Sequence, residues 1–75
     1  MTMHGLLLRK AVIELTIPDM TCGHCASTVK LICRLIDARA KVDVDVERRL
    51  VKIMSDQDSQ DFAEALAVGG YPPAR

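Results

Sequence analysis

The sequence predicts a small α/β sandwich in which one antiparallel sheet carries two helices on the same face. Three observations lead to this fold class. The chain has 75 residues, enough for one domain, and 49% of them are hydrophobic. Apolar residues alternate in three short segments and recur at helical spacing in two others. These segments follow in the order β-α-β-β-α, and a helix that crosses between two strands places both helices on one face.

The first strand and first helix are predicted in the amino-terminal half. Apolar residues alternate over residues 11–17, and Pro18 ends the strand. A helix is predicted over residues 23–37, where apolar side chains recur on a single face. Residues 1–10 are predicted to be a loosely ordered extension. We expect its second half, residues 5–10, to lengthen the first strand and cover a sheet edge.

The second half of the chain predicts a β-hairpin and a second helix. Valines alternate with acidic residues over residues 42–47, and a charged turn leads into the apolar alternation of residues 51–53. The turn has neither Gly nor Asn, so the sequence does not specify its type. Asp58, paired with Asp61, is predicted to cap a helix that ends at Gly69-Gly70.

This element order predicts a ferredoxin-like βαββα(β) arrangement of the split βαβ type. The carboxyl terminus departs from it, because Pro72 and Pro73 have no N–H to donate to a strand ladder. We therefore predict that the fourth strand is vestigial or absent.

Composition and charge exclude several classes of function. Ten basic residues balance ten acidic ones, and one Tyr, one Phe and no Trp leave little to stack on nucleobases. No apolar run approaches the ~18 residues of a membrane span or resembles a secretory signal. We expect a soluble cytoplasmic protein that neither inserts into a membrane nor binds nucleic acid. Three cysteines, an odd number, argue against a disulfide framework and leave thiols for metal or redox chemistry.

Cys22 and Cys25 are the predicted metal ligands. They lie three positions apart where the first strand passes into the first helix, so both sulfurs can face one ion. Unpaired N–H groups and the helix dipole favour thiolate there. Two soft sulfurs without further obvious ligands favour Cu(I) over Zn(II), which prefers four ligands. We expect Gly23 to let the backbone turn tightly without a clash at Cβ.

Other candidate ligands have more ordinary interpretations. His24 as a third ligand and His4 or Asp19 as a fourth would suit zinc. However, His24 lies between the two cysteines and is predicted to project away from the point where the sulfurs meet. Met20 is predicted to anchor the loop in the core. Cys33, on the apolar helix face, is predicted to be a buried packing thiol.

Redox chemistry is an alternative use of the same motif. Cys-Gly-His-Cys at a helix start is also typical of thiol-disulfide oxidoreductases of the thioredoxin type. That fold needs a longer chain with more strands, and its motif usually follows a Trp, which this sequence lacks. We therefore favour a protein that is not an enzyme.

Across about residues 11–71 the sequence resembles the heavy-metal-associated domain family. We therefore expect residues 1–75 to form a single domain of this kind. The resemblance is carried by Ile17, Met20, Thr21, Cys22, Cys25, Val29, the hairpin valines and Gly70-Tyr71. It implies that Cys22 and Cys25 bind Cu(I) in near-linear geometry and pass it by thiolate exchange to a similar Cys-x-x-Cys domain, such as that of a copper-transporting P-type ATPase. Zinc, cadmium or mercury remains an alternative cargo, and an exposed thiol pair also allows a metal-bridged homodimer.

Tyr71 and a basic cluster have two interpretations each. The Tyr71 side chain is expected either to shield bound copper or hydrogen-bond near a sulfur, or instead to pack over the second helix. Four basic residues lie on and after the first helix: Lys30, Arg34, Arg39 and Lys41. They are either a solvated face or a surface that steers docking to an acidic partner domain.

Overall fold

The computed structural model describes residues 11–74. Its elements are β1 (Ala11–Thr16), α1 (Gly23–Ile36), β2 (Lys41–Asp45), β3 (Leu50–Ser55) and α2 (Ser59–Val68). The predicted extension at residues 1–10 lies outside the described residues, as does the expectation that residues 5–10 lengthen β1. Within residues 11–74, no helix combines the length and the apolar character needed to cross a bilayer.

The three strands form one antiparallel sheet in the order β1-β3-β2. The predicted ferredoxin-like arrangement is confirmed. Of a fourth strand, the described part of the chain shows only an isolated bridge, in which the Ala74 N–H donates to the Thr16 carbonyl at 2.7 Å. The prediction of a vestigial strand is therefore also confirmed. Pro72 and Pro73, just before this bridge, have no N–H with which to extend it.

A single hydrophobic core lies between the sheet and the two helices. Each strand supplies alternate residues, and each helix supplies a pair four residues apart, as the two periodicities predict. The fully buried side chains are Ile17, Met20, Val29, Cys33, Val51, Ile53, Phe62 and Leu66, together with Ser55. Because Phe62 is the one aromatic side chain among them, the core depends on close packing rather than on aromatic contacts.

Side-chain hydrogen bonds set two boundaries. The Asp58 carboxylate accepts from the Gln60 N–H at 3.1 Å at the start of α2, so the predicted cap is confirmed. In the hairpin, the Asp45 carboxylate accepts from the Arg48 N–H at 3.2 Å, and Arg49 adopts a left-handed conformation with φ 56°. An Asp side chain thus closes a turn that has no Gly or Asn.

Cys33 has an environment that a hydroxyl would not fit. The side chain is fully buried, and burial raises the pKa of its thiol to about 11. We predict that Cys33→Ser lowers the free energy of unfolding in urea by about 1–3 kcal/mol, because a more polar group enters an apolar core. The number of metal ions bound per chain should not change.

The matched control is Val68→Ser, which introduces the same hydroxyl at a residue that is 89% exposed. Its free energy of unfolding should stay within about 0.5 kcal/mol of the parent value. Equal stabilities for Cys33→Ser and the parent protein would contradict the assignment of Cys33 to the core.

Candidate metal-binding site

The loop that carries the two thiols starts from a fixed point in the core. Ile17 and Met20 are both fully buried, and the Met20 N–H donates to the Ile17 carbonyl at 3.0 Å. The predicted core position of Met20 is confirmed. The short segment from Met20 to Cys22 therefore leaves the core at a defined place and reaches the start of α1 within two residues.

Cys22 is the N-cap of α1, but its side chain does not cap the helix. Its backbone is extended (φ −151°, ψ 173°), and its carbonyl accepts the first helical hydrogen bond, from the Ala26 N–H at 3.0 Å. Its side chain makes no capping hydrogen bond. Instead, the Cys22 thiol donates to the sulfur of Cys25, in the first turn of the helix, at 3.3 Å. The predicted convergence of the two sulfurs is therefore present in the fold.

Gly23 plays a different part from the one expected. A Cβ added there would meet nothing within 4 Å, and Gly70 is the one described glycine with a positive φ. The expectation that a clash at Cβ requires glycine is therefore wrong. The extended backbone of Cys22 makes the turn, and Gly23 leaves open space at the end of the helix.

Hydrogen bonds stabilise the thiolate of Cys25 and lower the pKa of this thiol to about 7. The largest contribution comes from the Tyr71 hydroxyl, followed by the Cys22 thiol and the backbone N–H of Thr21. Partial burial opposes these effects but is outweighed. The pKa of Tyr71 is raised in turn, chiefly because its hydroxyl donates to Cys25. These donors favour the anionic form that binds metal ions.

The end of α2 brings Tyr71 to this sulfur. Gly70 is left-handed, with φ 95°, a conformation that L-residues rarely adopt. The Tyr71 N–H then donates to the Leu66 carbonyl at 2.8 Å and turns the chain back. The half-buried Tyr71 side chain packs against the hydrophobic core, and its hydroxyl makes the largest contribution that lowers the pKa of Cys25. The packing of Tyr71 is therefore observed, whereas shielding of a bound metal stays a prediction.

Within residues 11–74, the structure brings no further His, Cys, Asp or Glu side chain to the thiol pair as a metal ligand. All three cysteines are free, and Cys33 is buried in the core. Asp19 and His24 are exposed, and residues 11–74 contain no group of three or more His, Cys, Asp or Glu side chains arranged to hold a metal. His4 lies outside this range. The described residues thus offer two sulfurs, Cys22 and Cys25, to one ion.

Two sulfurs at this distance suit a two-coordinate ion after a small adjustment. Metal–thiolate bonds of about 2.3 Å in a line would hold the sulfurs about 4.6 Å apart, so the observed 3.3 Å must widen by about 1.3 Å. Rotation of the free, exposed Cys22 side chain can supply this change. A disulfide would instead need the sulfurs to approach to about 2.05 Å. Small changes in the sulfur–sulfur distance would therefore allow this pair either to bind a metal ion or to form a disulfide.

Sequence reasoning missed an exposed apolar surface on α1. Leu31 and Leu35 on α1 are 62% and 77% exposed, next to Lys30 and Arg34. A shallow depression of about 180 Å³ is lined by Ser27, Lys30, Leu31 and Arg34. The signal was available, because both leucines fall outside the stripe of buried residues on α1. This face combines exposed apolar groups with positive charge.

Comparisons with known proteins agree with the fold and with the nature of the site. The heavy-metal-associated domain matches residues 14–72. The "Mercuric transport protein periplasmic component" of Shigella flexneri is 35% identical over 63 residues, which cover 80% of this chain and 69% of that protein. The name of this relative describes a transport component and not an enzyme.

Similar solved structures have the same fold, and the names of two of them give different metals, gold and copper. A gold binding protein has 43% sequence identity and a TM-score of 0.78, over 80% of this chain and 92% of its own. The copper chaperone Atx1 from Synechocystis has 34% identity and a TM-score of 0.80, over 83% and 98%. Oxidized MerP from Ralstonia metallidurans has 32% identity and a TM-score of 0.80, over 88% and 96%.

The hydrogen bond from Tyr71 predicts a measurable change in the thiol. Tyr71→Phe removes the largest contribution that lowers the pKa of Cys25, so this pKa should rise above about 7 and less thiolate should be present at neutral pH. The pH dependence of alkylation at Cys25, followed by peptide mass spectrometry on the metal-free protein, measures the change. Ser27→Ala, which removes a nearby hydroxyl of α1, is the control and should leave the profile unchanged. An unchanged profile in Tyr71→Phe would contradict the assignment.

Proposed function

The chain belongs to the heavy-metal-associated domain family, and we propose that it is a metallochaperone that carries Cu(I) on Cys22 and Cys25. The observation that carries this proposal is the approach of the two sulfurs to 3.3 Å at the start of α1, without a third donor among residues 11–74. Soft thiolates select Cu(I), which accepts two ligands, whereas structural Zn(II) takes four.

Transfer of the ion is proposed to proceed by thiolate exchange. An incoming thiolate of a partner forms a bond to Cu(I) before one of the two original bonds breaks, so free copper is never released. The exposed Cys22, whose side chain does not cap the helix, is the sulfur placed to leave first. Cys25, which is half-buried, is then the second sulfur to be replaced, when the partner supplies its second thiolate.

We propose that the partner is the Cys-x-x-Cys domain of a copper-transporting P-type ATPase and that transfer occurs in the cytoplasm. Copper chaperones among the similar structures and the basic, leucine-bearing face of α1 support this partner. The curated relative is named as periplasmic, so fractionation of cells that express the full chain is the direct test of location.

Transport of Hg(II) is the second candidate function. It is favoured by the mercuric transport relative, which is 35% identical over 80% of this chain. Hg(II) is also a soft ion that two thiolates can hold in a line. Competition between Cu(I) and Hg(II) for one protein sample distinguishes the affinities, and the sensitivity of a deletion strain to each metal distinguishes the cellular role. The oxidoreductase alternative instead requires catalysed disulfide exchange in a thiol assay.

Metal titration tests the main proposal. Anaerobic addition of Cu(I), with a competing chelator, should give one tightly bound ion per chain, and Zn(II) should bind more weakly. Loss of a residue that only hydrogen-bonds to a metal ligand lowers metal affinity about 10–100-fold. Cys22→Ser removes one of the two proposed ligands, so the Cu(I) affinity should fall by more than this. Cys33→Ala is the control and should retain the stoichiometry and affinity of the parent. Tighter Zn(II) binding, or a first shell dominated by nitrogen and oxygen in X-ray absorption, would exclude a Cu(I) carrier.

The basic face of α1 predicts how a partner docks. Lys30→Glu combined with Arg34→Glu should slow association with an acidic Cys-x-x-Cys domain and reduce the dependence of the association rate on salt. Stopped-flow measurement of metal transfer at several ionic strengths gives this rate. Arg48→Glu, in the hairpin beside Asp45, is the control and should change the rate little. Because the double variant makes two charge reversals and Arg48→Glu makes one, an Arg48→Glu effect half as large as that of the double variant would mean that net charge, rather than this face, governs docking.

A further inference from the structure

The end of α2 lies against α1 through a close approach of Gly69 to Ile32, and we propose that these two residues position the Tyr71 hydroxyl at the sulfur of Cys25. The inference rests on the proposed function, because Cys25 is one of the two proposed metal ligands. It follows from the lack of space at Gly69, from the face of α1 that the end of α2 meets, and from the hydrogen-bonded turn between Gly69 and Tyr71.

Gly69 has no room for a side chain. A Cβ at this residue would lie 2.6 Å from the δ-methyl of Ile32, well inside the about 3.5–4.0 Å that suits two carbon atoms. The backbone of Gly69, with φ −80° and ψ 0°, has angles that most residues adopt in turns. The absence of a Cβ, rather than a special backbone conformation, therefore lets Ile32 pack against the end of α2.

The end of α2 meets a single face of α1. Cys25, Thr28 and Ile32 follow one another at intervals of three and four residues, so their half-buried side chains lie on the same face. Gly69 approaches this face at Ile32, and the Tyr71 hydroxyl interacts with Thr28 and Cys25 by hydrogen bonding. Two contacts about two helical turns apart on α1 therefore hold one short segment of the chain.

The segment between these two contacts has little freedom. The Gly69 N–H donates to the Ala65 carbonyl at 3.0 Å, and the Tyr71 N–H donates to the Leu66 carbonyl at 2.8 Å. Gly70 lies between them in the left-handed conformation, with φ 95°. Both ends of the segment are thus tied to the last turns of α2. A displacement at Gly69 is therefore passed to Tyr71.

Ile32 resists a change at this contact. Its side chain is half-buried and packs against the hydrophobic core, and a branched β-carbon restricts its χ1 angle within a helix. A Cβ at residue 69 would therefore push the end of α2 away from α1 and draw the Tyr71 hydroxyl away from Cys25. The competing response is rotation of the outermost bond of Ile32, which would leave Tyr71 in place.

Nuclear Overhauser contacts between the Tyr71 ring and Cys25 measure this position in the full chain, reduced and free of metal. Tyr71 is the one Tyr in the sequence, so its ring signals are identified directly. We expect the contacts in the parent protein and their loss in Gly69→Ala. They should return when Gly69→Ala is combined with Ile32→Val, which deletes the δ-methyl that the new Cβ would meet. Ile32→Val alone should retain them.

Val68→Ala is the matched control. It changes the preceding residue of α2, which is 89% exposed, and should leave the contacts of Tyr71 as they are. The proposal is overturned by parent-like contacts in Gly69→Ala, because Ile32 would then relieve the clash by its own rotation. It is also overturned by a loss that Ile32→Val does not restore, because the effect would then arise within α2. Circular dichroism establishes that each variant is folded.

The same variants connect the position of Tyr71 with metal binding. Removal of a residue that hydrogen-bonds to a metal ligand lowers affinity about 10–100-fold, so Tyr71→Phe and Gly69→Ala should both weaken Cu(I) binding within this range. Addition of Ile32→Val to Gly69→Ala should restore it. The contacts of Tyr71 are measured without metal, so their outcome decides the positioning alone. Failure of the parent protein to bind Cu(I) would instead refute the proposed function.

Discussion

The hydrogen bonds that converge on the sulfur of Cys25 are the interaction on which the candidate site depends. Two cysteines of the same helix show how much the surroundings matter, because the pKa of the Cys25 thiol is lowered to about 7 and that of Cys33 is raised to about 11. Tyr71 and Cys22 stabilise the thiolate of Cys25 by hydrogen bonding, whereas Cys33 is buried in the hydrophobic core and its pKa is raised by burial alone. Hydrogen-bond donors therefore distinguish the thiol that readily forms a thiolate from the thiol that packs.

These donors come from distant parts of the chain, so the site requires the whole fold. Cys22 and Cys25 follow β1, but Tyr71 follows α2, almost fifty residues later in the sequence. The core holds these segments together, since Met20, two residues before Cys22, is fully buried, as is Leu66, whose carbonyl accepts from the Tyr71 N–H. Loosening the contact between α1 and α2 would thus change the chemistry of a thiol without altering the motif that contains it.

The sequence predicted features that depend on local pattern. The alternation of apolar residues predicted the strands, and Asp58 predicted the start of α2. Pro72 and Pro73 predicted that the fourth strand is vestigial or absent. The position of Tyr71 was left open, because it depends on the left-handed conformation of Gly70. The hairpin turn was left open as well, since Asp45 closes it through its side chain. Such features depend on backbone angles and on contacts between elements, which periodicity does not encode.

The open space at Gly23 has a consequence for the kinetics of metal exchange. Apart from its two chain neighbours and the backbone of its own helix, no described residue would lie within 4 Å of a Cβ at Gly23, and the neighbouring Cys22 is exposed. In the proposed transfer of a metal ion, a partner thiolate would therefore approach Cys22 directly from solution. The speed of exchange is then governed by diffusional encounter and by the orientation of the two colliding proteins.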